Sequence, residues 1–314
     1  MHMASIVVVG SLNMDLVLQA HRMPSAGETV RGTAFSTVPG GKGANQAAAV
    51  ALLGGQVTMI GCVGDDAFGE RLLRSLGSFG VDLSIVRRLE GVSTGIAAIL
   101  VDGLGENRII VIPGANGLLT PDELTSAEAR IAKASLLVLQ LEVPMPTVQT
   151  AIRLAVRHGV PVLLNPAPPS ALDEALLAQV NYLVLNETEA QVLTGIKPGD
   201  ADSCGGAAQA LRARGIGVVV LTLGERGAYM FSSEGGLHVP ARPVKVVDTT
   251  AAGDAFVGGF AVSLVEGRSL GEATRFACAA GTLAVTRLGA HTSIPARAEV
   301  EKLLAQKEEK QPVL

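Results

Sequence analysis

Short runs of Val, Leu and Ile alternate along this 314-residue chain with longer segments of helical periodicity. The runs are almost free of polar residues, so a strand made from one of them would be buried on both faces. Because a helical segment separates successive runs, the sequence predicts an α/β fold with a parallel sheet covered by helices on both faces. The predicted strands span 5–9, 57–62, 136–141, 162–164, 182–185 and 218–223, and the predicted helices span 66–76, 121–133, 146–157, 188–194 and 204–214. Thr120-Pro-Asp-Glu123 adds a capping box with Pro at the first helical position.

Two segments interrupt this alternation. Residues 28–38 and 95–112 mix polar and apolar positions and have no helix between their halves. Both are typical of antiparallel strands, and the second has a Gly-containing turn at 102–107. We expect them to form a small sheet outside the main layer, placed to cover a site.

The charge balance excludes two classes of partner. Lys and Arg number 25 against 29 Asp and Glu, a net charge of −4, which leaves no basic surface for nucleic acid or for an anionic membrane. The mean hydropathy is +0.40, yet the longest charge-free run, 43–64, is broken by glycines and amides well short of a spanning helix. No basic region followed by an apolar stretch begins the sequence, so no signal peptide is expected. The three widely separated cysteines favour a reducing, cytoplasmic location. The charged tail, 302–314, is expected to fray.

The three cysteines, Cys62, Cys204 and Cys278, are odd in number and widely separated, which supports neither a disulfide framework nor a zinc site. Cys62 and Cys204 are expected in the core. The chain lacks GxxxxGK[ST], a GxG after the first strand, and HExxH; a GxSxG at 91–95 precedes a strand rather than a strand-to-helix turn. The chain has only seven Phe and two Tyr and no Trp, so a ligand would be held mainly by polar side chains and by the backbone.

The segment from Asp248 to Asp254 (DTTAAGD) carries the strongest chemical signal. Its small residues lead into a strongly apolar helix, leaving free N–H groups at a positive helix end where no side chain blocks an anion. Asp254 at that point can orient a hydroxyl or accept its proton while the amides hold phosphoryl charge. Because Asp254 lies at a helix N-terminus, we expect its pKa to be lowered.

Two further segments suit a polyhydroxylated ligand. Gly40-Gly41-Lys42 offers a close backbone approach, and Asn45 can hydrogen-bond a hydroxyl group. Asp15 follows the first strand, where ligands of open α/β sheets bind, and its carboxylate can accept from two adjacent hydroxyls.

Together these segments resemble the ribokinase-like carbohydrate kinase family, over nearly the whole chain. The run from Gly40 to Ala47 (GGKGANQA) is similar to the family's N-terminal signature, and Asp248–Asp254 with Gly258-Gly259 to its C-terminal one. Asn186-Glu187-Thr188-Glu189 matches its NxxE motif, although Asn-x-x-Glu is also a helix N-cap arrangement. The resemblance implies a three-layer α/β/α fold in one unit, 1–314, with a small β-sheet lid from about 13–40 and 94–114.

The resemblance also implies residue roles in a transfer of the γ-phosphoryl group of ATP to the 5-hydroxyl of D-ribose. Asp254 would be the base, and the amides of Ala251, Ala252, Gly253 and Asp254 the anion hole. The sugar would be bound by Asn13, Asp15, Gly41, Lys42, Gly43, Ala44, Asn45, Glu142 and Asp254. The nucleotide would lie along Asn186, Thr222, Leu223, Gly224, Glu225, Arg226, Gly227, Gly253 and Asp254, with Cys278 standing where relatives carry a His.

The resemblance also implies that the protein binds two cations. Asn186 and Glu189 would act on Mg²⁺ largely through water. K⁺ would be held by Asp248, Thr250, Ala284, Arg287, Gly289 and Ser293. The lid would exclude water and form the interface of a homodimer.

Alternative functions remain open. The chain could phosphorylate 2-deoxyribose, fructose or a nucleoside, although Asp15 favours a vicinal diol and the shortage of aromatic rings disfavours a stacked base. A non-catalytic sugar or nucleotide sensor would more readily have lost Asp254 or Gly253.

Overall fold

The computed structural model describes residues 5–306. Residues 1–4 and 307–314, which include most of the tail expected to fray, lie outside the described residues. The strands are β1 (Ser5–Val9), β2 (Asn13–Ala20), β3 (Gly32–Gly40), β4 (Gln56–Ile60), β5 (Cys62–Gly64), β6 (Arg87–Leu89), β7 (Gly95–Val101), β8 (Asn107–Ile112), β9 (Leu136–Leu139), β10 (Val162–Leu164), β11 (Tyr182–Asn186), β12 (Val218–Thr222), β13 (Ala228–Ser232) and β14 (Gly235–Val239).

The helices, in chain order, are α1 (Lys42–Leu52), α2 (Ala67–Ser78), α3 (Pro121–Ser126), α4 (Glu128–Ile131), α5 (Met145–Arg157), α6 (Glu174–Leu177), α7 (Glu187–Thr194), α8 (Ala201–Ala213), α9 (Ala252–Val265), α10 (Leu270–Ala284) and α11 (Arg297–Ala305). The capping box predicted at Thr120 and Glu123 is present at the start of α3. The predicted helix 121–133 divides at Ala127 into α3 and α4. Residues 302–305 of the charged tail belong to α11 rather than to a frayed end.

An eight-stranded sheet has the order β14-β13-β12-β11-β10-β9-β1-β4. All pairs from β4 to β12 are parallel, and β13 and β14 add an antiparallel edge. Along β1, Ile6 and Val8 point into one core and Val7 and Val9 into the other, because successive strand residues face opposite sides of a sheet. Residues of α1, α2, α9, α10 and α11 fill the first core, and those of α3–α8 the second. This confirms the three-layer α/β/α architecture with a mainly parallel sheet.

The predicted strand 57–62 is two strands in the structure. β4 ends at Ile60, and β5 begins at Cys62 and leaves the main sheet to pair with β6. Gly61 lies between them so close to β1's end that a Cβ atom there would be 2.8 Å from the carbonyl oxygen of Gly10. The chain therefore turns away at a glycine, where the absence of a side chain lets the two backbone segments approach each other.

The smaller sheet has the order β3-β2-β7-β8 and provides the expected lid strands. Both β2–β3 and β7–β8 are antiparallel, but the two hairpins join through β2 and β7, which run parallel. The strand expected at 28–38 runs instead from Gly32 to Gly40. Asp15, placed after the first strand by the sequence, belongs to β2 of this smaller sheet. Because β2 starts four residues after β1 ends, Asp15 still lies near the carboxyl end of the main sheet.

Within residues 5–306, no helix combines the length and the apolar character needed to cross a membrane. Cys62 and Cys204 are fully buried in the second core, as expected, and Cys278 is buried on the opposite side of the sheet.

Candidate active site

Helix α9 begins with exposed backbone donors. Its N-cap, Ala251, has φ 59°, and it is the sole non-glycine residue with positive φ between residues 5 and 306. No side chain caps this helix end. The N–H of Ala252 donates a 3.3 Å hydrogen bond to Thr249, whereas a Cβ at Gly253 would meet no atom within 4 Å. A left-handed alanine costs about 1 kcal/mol, and here that strain coincides with an open, positive helix end suited to an anion.

Asp254 is buried in the first turn of α9 and is held by two amide groups of α1. Asn45 Nδ2 donates to its Oδ2 at 2.9 Å, and Gln46 Nε2 donates to its Oδ1 at 3.0 Å. Burial raises the pKa of Asp254, outweighing the opposing effects of Lys42 and of these two donors. The expectation of a lowered pKa at this helix end is therefore wrong, because burial outweighs the groups that favour the charged carboxylate.

Lys42, the first residue of α1, lies among four carboxylates. Asp254, Glu142, Glu189 and Asp15 all raise the pKa of its ammonium group, overcoming the lowering effect of burial. The pKa of the Asp15 carboxyl is also raised, to about 7. Burial raises it most, the negative charges of Glu142 and Asp254 raise it further, and the positive charge of Lys42 lowers it only in part. One cation thus faces several acids in a desolvated site, an arrangement typical of functional centres.

The turn into α1 fixes the position of Lys42. Its N-cap, Gly41, has φ 92°, and a Cβ there would lie 2.6 Å from the backbone nitrogen of Asn13. Glu142 accepts hydrogen bonds from the Lys42 N–H at 3.2 Å and from the Ser11 hydroxyl. Asn13 accepts a 2.8 Å bond from Asn116 Nδ2. The structure therefore gathers Asn13, Gly41, Lys42 and Glu142 around the end of β1.

A cavity of about 480 Å³ opens beside Asp254. Of the predicted sugar-binding residues, Lys42 and Asp254 line it, while Asn13, Asp15, Gly41, Gly43, Ala44, Asn45 and Glu142 do not. Its other walls include Asn186, Glu189, Thr222, Gly224, Ala251 and Gly253 from the nucleotide, anion-hole and metal sets. The predicted base and lysine thus lie where the two predicted ligand regions meet.

A second cavity, of about 760 Å³, shares Thr222, Gly224, Thr249 and Gly253 with the first. Apolar side chains dominate its wall: Pro240, Pro243, Val244, Val246, Phe256 and Val285. The predicted nucleotide residues Glu225, Arg226, Gly227 and Cys278 also line it. Leu223 lines neither cavity; it is buried, and its N–H donates to the carbonyl of Gly227 at 2.8 Å.

The NxxE motif forms a capping box at the start of α7. Glu189 N–H donates to Asn186 Oδ1 at 2.9 Å, and the Glu189 carboxylate accepts from the backbone N–H and the Nδ2 of Asn186 at 2.9 and 3.0 Å. Burial raises the pKa of Glu189. Each carboxylate oxygen accepts one hydrogen bond within the capping box and keeps a further lone pair for another donor or a cation.

The predicted potassium-site residues come from two segments that Asp248 ties together. Its Oδ1 accepts from the N–H and the hydroxyl of Thr250 at 2.9 and 2.7 Å, and its Oδ2 accepts from the Gly289 N–H at 2.9 Å. The Ser293 hydroxyl reaches the carbonyl of Thr250 at 3.5 Å. The Arg287 side chain pairs with Glu299, and a guanidinium has no acceptor, so only the backbone carbonyl of Arg287 could contact a cation.

The sequence motifs assigned no role to three amides near Asp254: Gln46 and Gln140, which are fully buried, and Asn165, which is partly buried and lines the first cavity. Gln46 contacts Asp254 directly, and it bonds to both Gln140 and Asn165. Gln140 follows β9 and Asn165 follows β10, at the carboxyl edge of the parallel sheet. That position, polar residues just after apolar strands, was the signal that could have found them.

A family model, related sequences and solved structures each match this chain over most of its length. A family model described as pfkB family carbohydrate kinase matches residues 3–297. The chain is 44% identical over 309 residues to a ribokinase of Schizosaccharomyces pombe, covering 95% of this chain and 97% of the relative. It is 38% identical over 304 residues to a deoxyribokinase of Salmonella typhi, covering 96% and 99%. The solved structure of Arabidopsis thaliana ribokinase complexed with ribose and ATP matches with a TM-score of 0.92 at 34% identity, covering 98% and 100%.

Proposed function

Since the chain belongs to the pfkB family of carbohydrate kinases, we propose that it transfers the γ-phosphoryl group of ATP to the 5-hydroxyl of D-ribose. The products are D-ribose 5-phosphate and ADP. The observation that carries the proposal is the position of Asp254, buried at the open N-terminus of α9 and hydrogen-bonded from both Asn45 and Gln46. The sequence similarity to the ribokinase of Schizosaccharomyces pombe covers 95% of this chain and 97% of that relative.

Asp254 orients the sugar hydroxyl and takes its proton. As the bond between the hydroxyl oxygen and the γ-phosphorus forms, the bond from that phosphorus to the β,γ-bridging oxygen breaks and ADP leaves. The raised pKa of Asp254 makes it a stronger base than its helix position alone would allow. The amides from Ala251 to Asp254 receive the developing phosphoryl charge, and the Lys42 ammonium group adds a positive charge nearby.

The sugar is bound beyond Lys42. Asp15, already close to Gly40 and to the charges of Glu142 and Asp254, accepts from two adjacent hydroxyls. Asn13, Gly41, Gly43, Ala44, Asn45 and Glu142 complete that side of the site. The apolar second cavity takes the base of ATP, with the phosphates running past Thr222 and Gly224 to Gly253.

Two cations assist this reaction in our proposal. Asn186 and Glu189 would act on Mg²⁺ largely through water, and the ion would supply positive charge to the phosphates. Oxygen atoms of Asp248, Thr250, Ala284, Arg287, Gly289 and Ser293 would hold K⁺, which would order this loop at the start of α9. The hydrogen bonds that join Thr250 and Gly289 through Asp248 support that position.

The smaller sheet acts as a lid over the sugar and as a dimer interface in the cytoplasm. Its outer strands carry large apolar side chains in solvent, among them Phe35, 65% exposed, and Ile110, 62% exposed. A patch of this kind favours association with a second copy, which would also cover the edges of β3 and β8.

A second candidate substrate is 2-deoxyribose, because a deoxyribokinase is 38% identical over nearly the whole chain. Asp15 favours ribose, since a vicinal diol offers it two donors and a 2-deoxy sugar fewer. None of the residues proposed to bind the sugar is aromatic, so they offer no stacking platform for a nucleoside base.

The test is a coupled assay of ADP release with ribose, 2-deoxyribose, fructose and adenosine, each with and without K⁺. We expect ribose to give the highest kcat/KM and K⁺ to increase it. Binding of ATP without turnover on any sugar would point to a sensor and overturn the enzyme assignment.

A further inference from the structure

Three amide side chains form a hydrogen-bonded series that ends on Asp254: Gln140 and Gln46 are fully buried, and Asn165 is partly buried at the wall of the first cavity. Gln140 Nε2 donates to Gln46 Oε1 at 2.6 Å. Gln46 Nε2 then donates to Asn165 Oδ1 at 3.1 Å and to Asp254 Oδ1 at 3.0 Å. Asn165 Nδ2 donates to the backbone carbonyl of Val184 at 3.0 Å. These hydrogen bonds thus link the ends of β9 and β10 and the middle of β11 to the N-terminal parts of α1 and α9.

The direction of these hydrogen bonds is fixed from the Val184 end. A backbone carbonyl can only accept, so the amide nitrogen of Asn165 must face Val184 and its oxygen must face Gln46. Gln46 therefore presents its NH₂ group to Asn165, and the second hydrogen of that group points to Asp254. With this orientation Gln46 can donate to Asp254 but cannot accept from it.

Gln46 has no freedom to reverse this arrangement. Its side chain is fully buried, and its oxygen is held by Gln140. Gln140 in turn lies against Gly10 so closely that any Cβ at Gly10 would overlap the Gln140 amide oxygen. The amide of Gln46 is thereby locked at both ends, and Asp254 Oδ1 is the acceptor that completes it.

We infer that Gln46 is a positioning residue that holds the Asp254 carboxylate in the orientation required to receive the substrate proton. The inference rests on the proposed function of Asp254 as the base. Gln46 occupies Oδ1 and Asn45 occupies Oδ2, each by one hydrogen bond, so rotation of the carboxylate is blocked while further lone pairs stay available to a hydroxyl. Gln46 touches neither cavity and acts through Asp254.

The test compares Gln46→Met with wild type in ribose phosphorylation across a range of pH. Methionine keeps the length of the side chain and removes both donors. We expect kcat to fall by at least about tenfold while KM for ribose and for ATP stays unchanged. The acidic limb of the kcat profile should move to higher pH, because a carboxylate that loses a donor is harder to ionise. Lys42, Glu142, Glu189 and Asp15 also act on Asp254, and none of them is altered in this variant.

Thr147→Val is the matched control. Thr147 is fully buried in α5, and its hydroxyl donates to the carbonyl of Leu119, so this variant also loses a buried hydrogen bond, but away from both cavities. Its kcat and acidic limb should equal those of wild type even if its melting temperature falls.

A second variant covers the case in which Gln46→Met does not fold. Gln46→Glu keeps the shape and the acceptor for Gln140, but it replaces the donor to Asp254 by a carboxylate. It should also lower kcat and move the acidic limb upward. A Gln46 variant that keeps wild-type kcat and limb would overturn the inference. A wild-type protein that phosphorylates no sugar would instead refute the proposed function.

Discussion

Asn45 Nδ2 donates a 2.9 Å hydrogen bond to Oδ2 of Asp254, joining two residues that are 209 positions apart in the sequence. This bond brings the start of α1 against the start of α9, and with them the Gly-rich turn of Lys42 and the open helix end at Gly253. The sequence segments that carry the two signatures therefore form one site.

Asn45→Ala should weaken sugar binding as well as turnover. Besides its bond to Asp254, Asn45 has a buried Oδ1 atom that accepts no hydrogen bond within residues 5–306, so it can receive a sugar hydroxyl. Loss of one such bond should raise KM for D-ribose about tenfold, equivalent to about 1.4 kcal/mol. KM for ATP should not change. Steady-state kinetics with each substrate varied in turn measures this.

Asn181→Ala provides the control for this change. Asn181 Oδ1 accepts a 2.8 Å bond from the N–H of Val162, at the amino end of β10 and away from the site. The Asn181→Ala variant should keep the wild-type KM for ribose and the wild-type KM for ATP. An Asn45→Ala protein with wild-type KM for ribose would contradict a sugar contact at Asn45.

Asp15→Asn should stabilise the ligand-free protein at alkaline pH. Burial raises the pKa of Asp15 from 3.8 to about 7, so between these values the folded state binds more protons than the unfolded state. Stability therefore falls as pH rises through this window, and by pH 8 the cost reaches at most about 4 kcal/mol. The melting temperature of Asp15→Asn relative to wild type should increase from pH 4 to pH 8.

The same variant should lose affinity for ribose, since an amide accepts from fewer hydroxyls than a carboxylate does. Calorimetric titration with ribose checks this second effect. A melting temperature difference that is independent of pH would show that Asp15 does not carry an elevated pKa.

The architecture followed from the sequence because each apolar run needs burial on both faces, which a parallel sheet between helices supplies. β1 and β10 match their predicted bounds, and the capping box at Thr120 is present. The parallel pairing of β2 with β7 could not be predicted, since it joins residues about 80 positions apart through backbone bonds that leave no pattern in the side chains.

The site was predicted in part. Motifs identified Asp254 and Lys42, because a Gly-rich turn beside a polar residue is visible in the sequence. The pKa of Asp254 was predicted in the wrong direction, since it depends on burial by elements distant in sequence. The hydrogen-bonded series of Gln140, Gln46 and Asn165 was missed for the same reason: one amide within α1 and two that follow β9 and β10 gain a joint role only when packing joins them.

The thiol of Cys278 should be alkylated slowly, and bound ATP should lower the rate of alkylation further. Burial raises the pKa of its thiol to about 12, so little reactive thiolate exists at neutral pH. Cys62, with a pKa of about 11, and Cys204 are also buried, but neither lines the apolar cavity proposed for the nucleotide. Peptide mass spectrometry after iodoacetamide treatment should show protection by ATP at Cys278 alone. Equal protection at all three thiols would indicate general stabilisation rather than occupancy of this cavity.

Asp254→Asn removes the proposed base. Asparagine fits the same space but is a far weaker base, so ribose and ATP should bind with wild-type affinity in calorimetric titrations. Production of D-ribose 5-phosphate, followed by phosphorus NMR, should fall by about 100- to 10,000-fold. Near-native production of D-ribose 5-phosphate by Asp254→Asn would contradict the account.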